Sequence, residues 1–138
     1  MKLILIRHGE TDWNLSGRFQ GVTGAKLNQS GIVQAHCVSN VLQSTCAHSI
    51  YSSPLTRAME MSKIISQALS ISIVRMTNLQ ELNLGELEGI TGNAMKSKYP
   101  EIYSAWGSDP STVSMPGGES LQQLQTRAWN AVEKIKAK

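Results

Sequence analysis

An apolar run near the start of the chain ends in an arginine and a histidine. Residues 2–10 read KLILIRHGE, in which four apolar residues precede Arg7, His8 and Gly9. Such a run predicts a strand over residues 2–6 that is buried on both faces of a parallel sheet. Ligands of open α/β sheets bind beyond the carboxyl ends of the strands. Arg7 and His8 are therefore candidates for a site that combines an anion-binding cation with a nitrogen nucleophile.

The remainder of the chain alternates between helix and strand patterns. The pattern predicts a helix over roughly 30–45 with Asn28 or Ser30 as its N-cap, and then a strand at 49–53. A helix from Pro54 and a strand at 70–76 follow. The last predicted elements are short helices over 93–107 and a final helix in which Ser120 and Gln123 form a capping box. Strands that alternate with helices predict βαβ units. The expected fold class is α/β, a three-layer α/β/α arrangement with a mostly parallel sheet, and the length of 138 residues predicts a single domain over 1–138.

Charge and cysteine usage narrow the classes of function. The net charge is only +3, and no basic block with interleaved aromatic residues is present, so we expect no nucleic-acid partner. The apolar run at the N-terminus is too short for a signal peptide or a membrane span. Cys37 and Cys46 are nine residues apart near one predicted helix, which suits neither a disulfide nor a metal site. These features predict a cytoplasmic protein with free thiols and no membrane partner.

Four segments in a fixed order give the chain a family resemblance. They are LIRHGETDWN at 5–14, SSPLTRA at 52–58, ELNLGELEG at 81–89 and PGGES at 116–120. Together they resemble the histidine phosphatase superfamily, the phosphoglycerate mutase-like proteins, from Lys2 to about Ala131. Each segment alone is a weak signal, and the order and spacing of all four make the match specific.

The resemblance implies catalytic and substrate-binding positions, with no metal and no other cofactor. His8 matches the histidine that takes up the phosphoryl group, and Arg7 and Arg57 match the arginines that hold the phosphate. Glu81 matches the proton donor to the leaving oxygen. The positions that match the lining of the substrate pocket are Asn14, Gln20 and Gly21. The chemistry fits these roles. Neutral imidazole is a good nucleophile near pH 7. Guanidinium groups form paired hydrogen bonds to phosphate oxygens, and phosphoryl transfer depends mainly on such positioning.

Other interpretations of the charged residues stay open on the sequence alone. Arg57 could pair with Glu60 on its own helix instead of binding phosphate. Glu86 and Glu88 compete with Glu81 for the role of the acid, and alignment with the motif favours Glu81.

One element of the family pattern has no match in the chain. The family carries a second histidine, usually followed by glycine, at the end of a later strand, whereas this sequence contains only His8, His36 and His48. We expect His36 and His48 to be surface or packing residues. The resemblance thus implies that the chain corresponds to the first two-thirds of the domain, with the C-terminal part missing. A sheet with an uncovered edge predicts low stability or a homodimer.

The resemblance implies a phosphomonoester hydrolase that acts through phosphohistidine on a small phosphorylated metabolite. The leaving alcohol would be a sugar, a nucleoside or a ribazole, as in alpha-ribazole phosphatase-like proteins. A phosphoglycerate mutase is an alternative that is disfavoured by residues 82–84 and by Gly92, which stands where mutases carry a lysine. Two further alternatives are a catalytically inactive phosphoester-binding fragment and an interaction protein that keeps only the scaffold.

Overall fold

The computed structural model describes residues 2–137, and helices account for most of their regular structure. The helices and strands in chain order are α1 (Asp12–Leu15), α2 (Gln29–Leu42), β1 (Ile50–Ser52), α3 (Thr56–Leu69), β2 (Ile73–Arg75), α4 (Gly92–Lys98), α5 (Pro100–Ser108) and α6 (Leu121–Lys136). The chain divides into two compact units. The first unit comprises residues 2–12 and 24–79, and the second comprises residues 13–23 and 80–137.

The first unit contains a βαβ arrangement. Strands β1 and β2 pair in parallel, with Ile50 opposite Ile73, and helix α3 connects them. Helices α2 and α3 pack together over an apolar core whose buried members are Leu27, Ala35, Leu42, Met61 and Ile65. A parallel pair needs a crossover connection, and a helix in that connection covers one face of the sheet. The predicted α/β class is confirmed.

Local signals define the limits of these elements. Asn28, not Ser30, is the N-cap of α2, because its side chain accepts a hydrogen bond of 2.9 Å from the Gly31 amide. The helix predicted from Pro54 begins two residues later, at Thr56. The strand predicted at 70–76 is too long at its start. Ser70 ends α3 in the left-handed conformation, with φ of 55°, so β2 begins only at Ile73.

The prediction of a buried strand over residues 2–6 is wrong. These residues form no strand and are exposed. All of their apolar side chains are exposed, from 41% for Ile4 to 84% for Leu5. A run that is apolar on both faces is buried only when neighbouring strands and covering layers exclude water from both sides. Residues 2–137 do not supply that cover to this run.

The second unit has an apolar core built from loops and short helices. Its buried members are Leu82, Leu87, Met95, Val113 and Met115. The predicted helical stretch at 93–107 is two helices, α4 and α5, which meet at Tyr99. The capping box of α6 is confirmed, since Ser120 Oγ accepts from the Gln123 amide and Gln123 Oε1 accepts from the Ser120 amide at 2.8 Å.

The structure also bears on the expectations for the two cysteines and for membrane-spanning helices. Cys37 and Cys46 are free, as the spacing predicts, and both are exposed. Within residues 2–137, every helix falls short of the length and apolar character that crossing a bilayer requires.

Candidate active site

His8 is half-buried, and its ring contacts the adjacent backbone. Its Nδ1 atom lies 2.7 Å from the carbonyl oxygen of Gly9. A carbonyl only accepts hydrogen bonds, so Nδ1 must carry the hydrogen in this contact. A neutral ring with its hydrogen on Nδ1 keeps its lone pair on Nε2. In a neutral His8 ring this contact therefore places the lone pair on Nε2.

The segment after His8 is packed tightly against the start of α2. A Cβ atom on Gly9 would lie 2.5 Å from the Gly31 carbonyl oxygen, and one on Gly31 would lie 2.2 Å from the Glu10 carbonyl oxygen. The Asn28 amide donates to the Glu10 carbonyl at 3.0 Å, and the Asn28 side chain donates to the Glu10 carboxylate at 2.9 Å. Two glycines and a helix cap thus fix the backbone that carries His8.

The two candidate phosphate-binding arginines lie in the same unit as His8. Arg7 is exposed, whereas Arg57 is only 1% exposed and lies in the first turn of α3. A buried guanidinium at a helix N-terminus places positive charge beside backbone N–H groups, and both favour an anion. The alternative partner, Glu60, uses one carboxylate oxygen to accept from the Leu27 amide at 2.7 Å.

Three carboxylates compete for the role of the acid in the second unit, and two of them have structural contacts. Glu86 accepts a hydrogen bond of 2.8 Å from the Tyr99 hydroxyl, and this bond raises the pKa of Tyr99. Glu88 accepts from the Val22 amide at 2.8 Å and from the Thr23 hydroxyl. Glu81 is exposed, and the described contact of its carboxylate is with the adjacent Leu82 amide, at 2.8 Å. Because Glu86 and Glu88 bind other parts of the second unit, Glu81 is the favoured candidate for the acid.

Glu81 also lies at the edge of an apolar cavity of about 160 Å³. The cavity is lined by Glu81 and by Phe19, Leu82, Leu84, Leu87, Met95, Trp106 and Met115. The Glu81 side chain therefore has apolar neighbours in this cavity.

The predicted substrate-binding residues Gln20 and Gly21 lie in a buried turn of the second unit. The Thr23 amide donates to the Gln20 carbonyl at 3.1 Å, and Gly21 has a left-handed φ of 53°. A Cβ atom on Gly21 would lie 2.1 Å from Glu88 Oε1, so a side chain there would displace the Glu88 carboxylate, and the left-handed φ also favours glycine. Asn14 is exposed in the short helix α1.

The predicted site residues divide between the two units. Arg7, His8 and Arg57 belong to the first unit, and Asn14, Gln20, Gly21 and Glu81 belong to the second. His36 and His48 are exposed, in agreement with the expected surface role. Among residues 2–137, no group of three or more histidine, cysteine, aspartate or glutamate side chains is arranged to hold a metal ion.

Sequence reasoning missed two charged residues beside Glu81. The guanidinium of Arg127 donates to the carbonyls of Gln80 and Glu81, at 2.7 and 2.8 Å, and to both carboxylate oxygens of Glu119. The hydrogen bond from Arg127 lowers the pKa of Glu119. Glu119 falls within the PGGES segment, but no local pattern links it to a residue on α6.

These features agree with a family comparison. Residues 3–138 match the model of the histidine phosphatase superfamily (branch 1). The chain belongs to this superfamily, as the four sequence segments predict.

Named relatives and a solved structure match nearly the whole chain. It is 35% identical over 140 residues to metal-independent phosphoserine phosphatase of Arabidopsis thaliana and 32% identical over 136 residues to phosphoserine phosphatase 1 of Hydrogenobacter thermophilus, covering 99% of the chain in both cases. The chain spans 59% and 64% of the length of these two relatives. The crystal structure of the alpha-ribazole phosphatase from Shigella flexneri superposes with a TM-score of 0.88 at 25% identity, covering 96% of this chain and 65% of that one.

Proposed function

We propose that the chain is a phosphomonoester hydrolase domain that acts on a small phosphorylated metabolite through a phosphohistidine at His8. The observation that carries the proposal is the hydrogen bond from His8 Nδ1 to the Gly9 carbonyl, because a neutral ring in this contact has its lone pair on Nε2. Two relatives are named as phosphoserine phosphatases, which supports the class of reaction. One family match over residues 3–138 supports a single domain.

In the first half-reaction, Nε2 of His8 attacks the phosphorus atom and the bond from phosphorus to the ester oxygen breaks. Arg7 and Arg57 stabilise the charge on the non-bridging oxygens. Protonated Glu81 donates its proton to the leaving oxygen, so that a neutral alcohol departs and a carboxylate remains. Asn14, Gln20 and Gly21 contact the substrate.

In the second half-reaction, water attacks the phosphorus atom of phosphohistidine. The Glu81 carboxylate takes a proton from this water as the bond from phosphorus to Nε2 breaks. Inorganic phosphate leaves, His8 regains its lone pair and Glu81 is again protonated. No metal ion takes part in this scheme.

The test is turnover of p-nitrophenyl phosphate by the chain, together with trapping of an acid-labile phosphoryl group. His8→Ala should abolish both, whereas His36→Ala is the matched control, since His36 is an exposed histidine of the same unit. Equal turnover in the chain and in His8→Ala would refute the phosphohistidine mechanism.

Phosphoester binding without turnover is the second candidate. The observation that favours it is that Arg57 is buried in the first turn of α3, where a guanidinium and a helix N-terminus both favour an anion. Phosphate or vanadate should then raise the melting temperature without any turnover. Loss of this rise in Arg57→Ala, but not in the exposed Arg75→Ala, would support the binding role. A phosphoglycerate mutase would instead require a phosphoglycerate and a bisphosphorylated primer for activity.

A further inference from the structure

We infer that Arg127 and Glu119 are positioning residues for the segment that carries Glu81. The inference depends on the proposed function only for the role of Glu81 as the acid. The contacts concerned all lie within the second unit.

The pair holds the backbone on both sides of Glu81. On one side, Arg127 Nη1 donates to the Gln80 carbonyl and Nη2 donates to the Glu81 carbonyl. On the other side, Glu119 Oε1 accepts from the Asn83 amide at 3.0 Å, and the Glu119 amide donates to the Asn83 carbonyl at 2.9 Å. The four contacts enclose the residue whose side chain must meet the leaving group.

This segment needs such support because it lacks regular structure. Residues 80–84 belong to no helix or strand, and the Glu81 side chain is exposed, so its own packing does not fix it. Backbone groups outside regular elements are held by side chains or by water. Arg127 lies in the 16-residue helix α6, which provides a rigid base.

The glycines of PGGES allow the Glu119 side chain to reach the Asn83 amide. A Cβ atom on Gly118 would lie 2.2 Å from the Asn83 carbonyl oxygen, and one on Gly85 would lie 2.1 Å from the Pro116 carbonyl oxygen. The two backbone segments therefore touch without intervening side chains. This contact explains why a glutamate directly after two glycines can reach the Asn83 amide.

The chemistry of the pair suits orientation. The side chains of Arg127 and Glu119 are 22% and 16% exposed, so their hydrogen bonds are partly protected from water. A guanidinium has five donors in a rigid plane and can serve a carboxylate and two carbonyls together, whereas an ammonium group is a single point of charge. Lysine at position 127 would therefore keep the charge and lose the orientation.

The first experiment measures hydrogen exchange of the Asn83 amide by NMR on the full chain, in Arg127→Met, Glu119→Gln and the control Lys134→Met, an exposed change on the same helix. The first two variants should raise this exchange rate about tenfold, because a hydrogen bond to a charged group is lost or weakened. The amides of α6 should stay unchanged, which reports that the variants are folded. Unchanged Asn83 exchange in both variants would overturn the inference. If Arg127→Met fails to fold, Arg127→Lys replaces it, with the same expectation.

The second experiment separates positioning from general structural damage. p-Nitrophenolate leaves without a proton, whereas the alkoxide of glycerol phosphate needs one. Arg127→Met should lower kcat/KM for glycerol phosphate about tenfold more than kcat/KM for p-nitrophenyl phosphate, because kcat/KM reports the first half-reaction, in which only the alkyl ester depends on the acid. The second half-reaction uses the Glu81 carboxylate for both esters and does not enter this ratio. Equal losses for the two esters would overturn the inference. If the unchanged chain hydrolyses neither ester, the proposed function fails, and hydrogen exchange still decides whether the pair positions the segment.

Discussion

The segments that carry His8 and Glu81 are held by different kinds of contact. In the first unit, Gly9 packs directly on the Gly31 backbone, and Asn28 bonds to the Glu10 carbonyl through its backbone amide and to the Glu10 carboxylate through its side chain. In the second unit, charged side chains bind loop backbone: Arg127 with Glu119 holds 80–83, and Glu88 holds 20–23.

This difference predicts different sensitivities. Close backbone packing depends on shape and is almost indifferent to pH. Bonds to a carboxylate weaken when it is protonated, and exposed ion pairs weaken with salt. Only one of the described contacts of the segment that carries His8 uses a carboxylate, the bond from Asn28 to Glu10. This segment should therefore keep its position under conditions that loosen the segment that carries Glu81 and the turn at 20–23.

The largest expected effect is that of Gly9→Ala. The new methyl group would meet the Gly31 carbonyl oxygen at 2.5 Å, and backbone on both sides leaves no easy relaxation. We expect the free energy of unfolding to fall by about 3 kcal/mol, measured by urea denaturation. Gly24→Ala is the control, because its methyl group would meet only Thr56 Oγ1, at an ordinary 3.7 Å. Equal losses in the two variants would show that the contact between Gly9 and Gly31 is not special.

The next largest effect is expected from Glu88→Ala. This change leaves the Val22 amide and the Thr23 hydroxyl without their carboxylate acceptor. The expected loss of unfolding free energy is about 2 kcal/mol. Exchange of the Val22 amide should also accelerate. Glu101→Ala removes an exposed carboxylate of the same unit and should change neither quantity. If hydrogen exchange of the Val22 amide stayed as slow in Glu88→Ala as in the unchanged chain, Glu88 would not be what holds this turn.

A smaller effect is expected in the pH dependence of stability. The hydrogen bond from Arg127 lowers the pKa of Glu119 in the folded chain. The stabilisation from this shift is therefore fully present above the ordinary glutamate pKa of about 4.3 and is lost as pH falls through the lowered folded-state value. Arg127→Met should be less stable at pH 7 by about 1–2 kcal/mol, and this gap should shrink on acidification. Denaturation at a series of pH values measures it, and a gap independent of pH would contradict the charge argument.

The smallest effect concerns Tyr99 and Glu86 on the surface of the second unit. The hydrogen bond to Glu86 raises the pKa of Tyr99 above its ordinary value of 10.0, because the carboxylate favours the neutral phenol. The contribution to stability is present below that ordinary value and is lost as pH rises through the higher folded-state value. Absorbance titration of tyrosinate should show one late-titrating group that disappears in Tyr99→Phe and titrates earlier in Glu86→Gln. Identical titration curves for the chain and for Glu86→Gln would refute the coupling.

Features with local signals could be predicted from the sequence. The capping box of Ser120 and Gln123 follows from two residues three positions apart, and the cap at Asn28 required only a choice between two candidates. The helix that contains Arg57 follows from the pattern after β1. Each of these features depends on contacts within one turn of the chain.

Features that depend on distant partners could not be predicted. The exposure of Leu5 depends on which layers cover residues 2–6, and the run itself carries no information about them. Arg127 meets the Glu81 carbonyl across 46 positions, and arginines are common on helix surfaces. The roles of the predicted site residues stay predictions, because they rest on the match of motifs and on the placements described above.

The exposed run from Leu3 to Ile6 has a consequence for the behaviour of the chain in solution. It is an uncharged run of exposed apolar residues without proline, and exposed apolar surface favours self-association between copies. Exposed cations, Lys2 and Arg7, flank it on both sides. Such flanking charges act as gatekeepers, because copies that approach through this run repel one another. Salt screens that repulsion, so the solubility of the chain should fall as ionic strength rises.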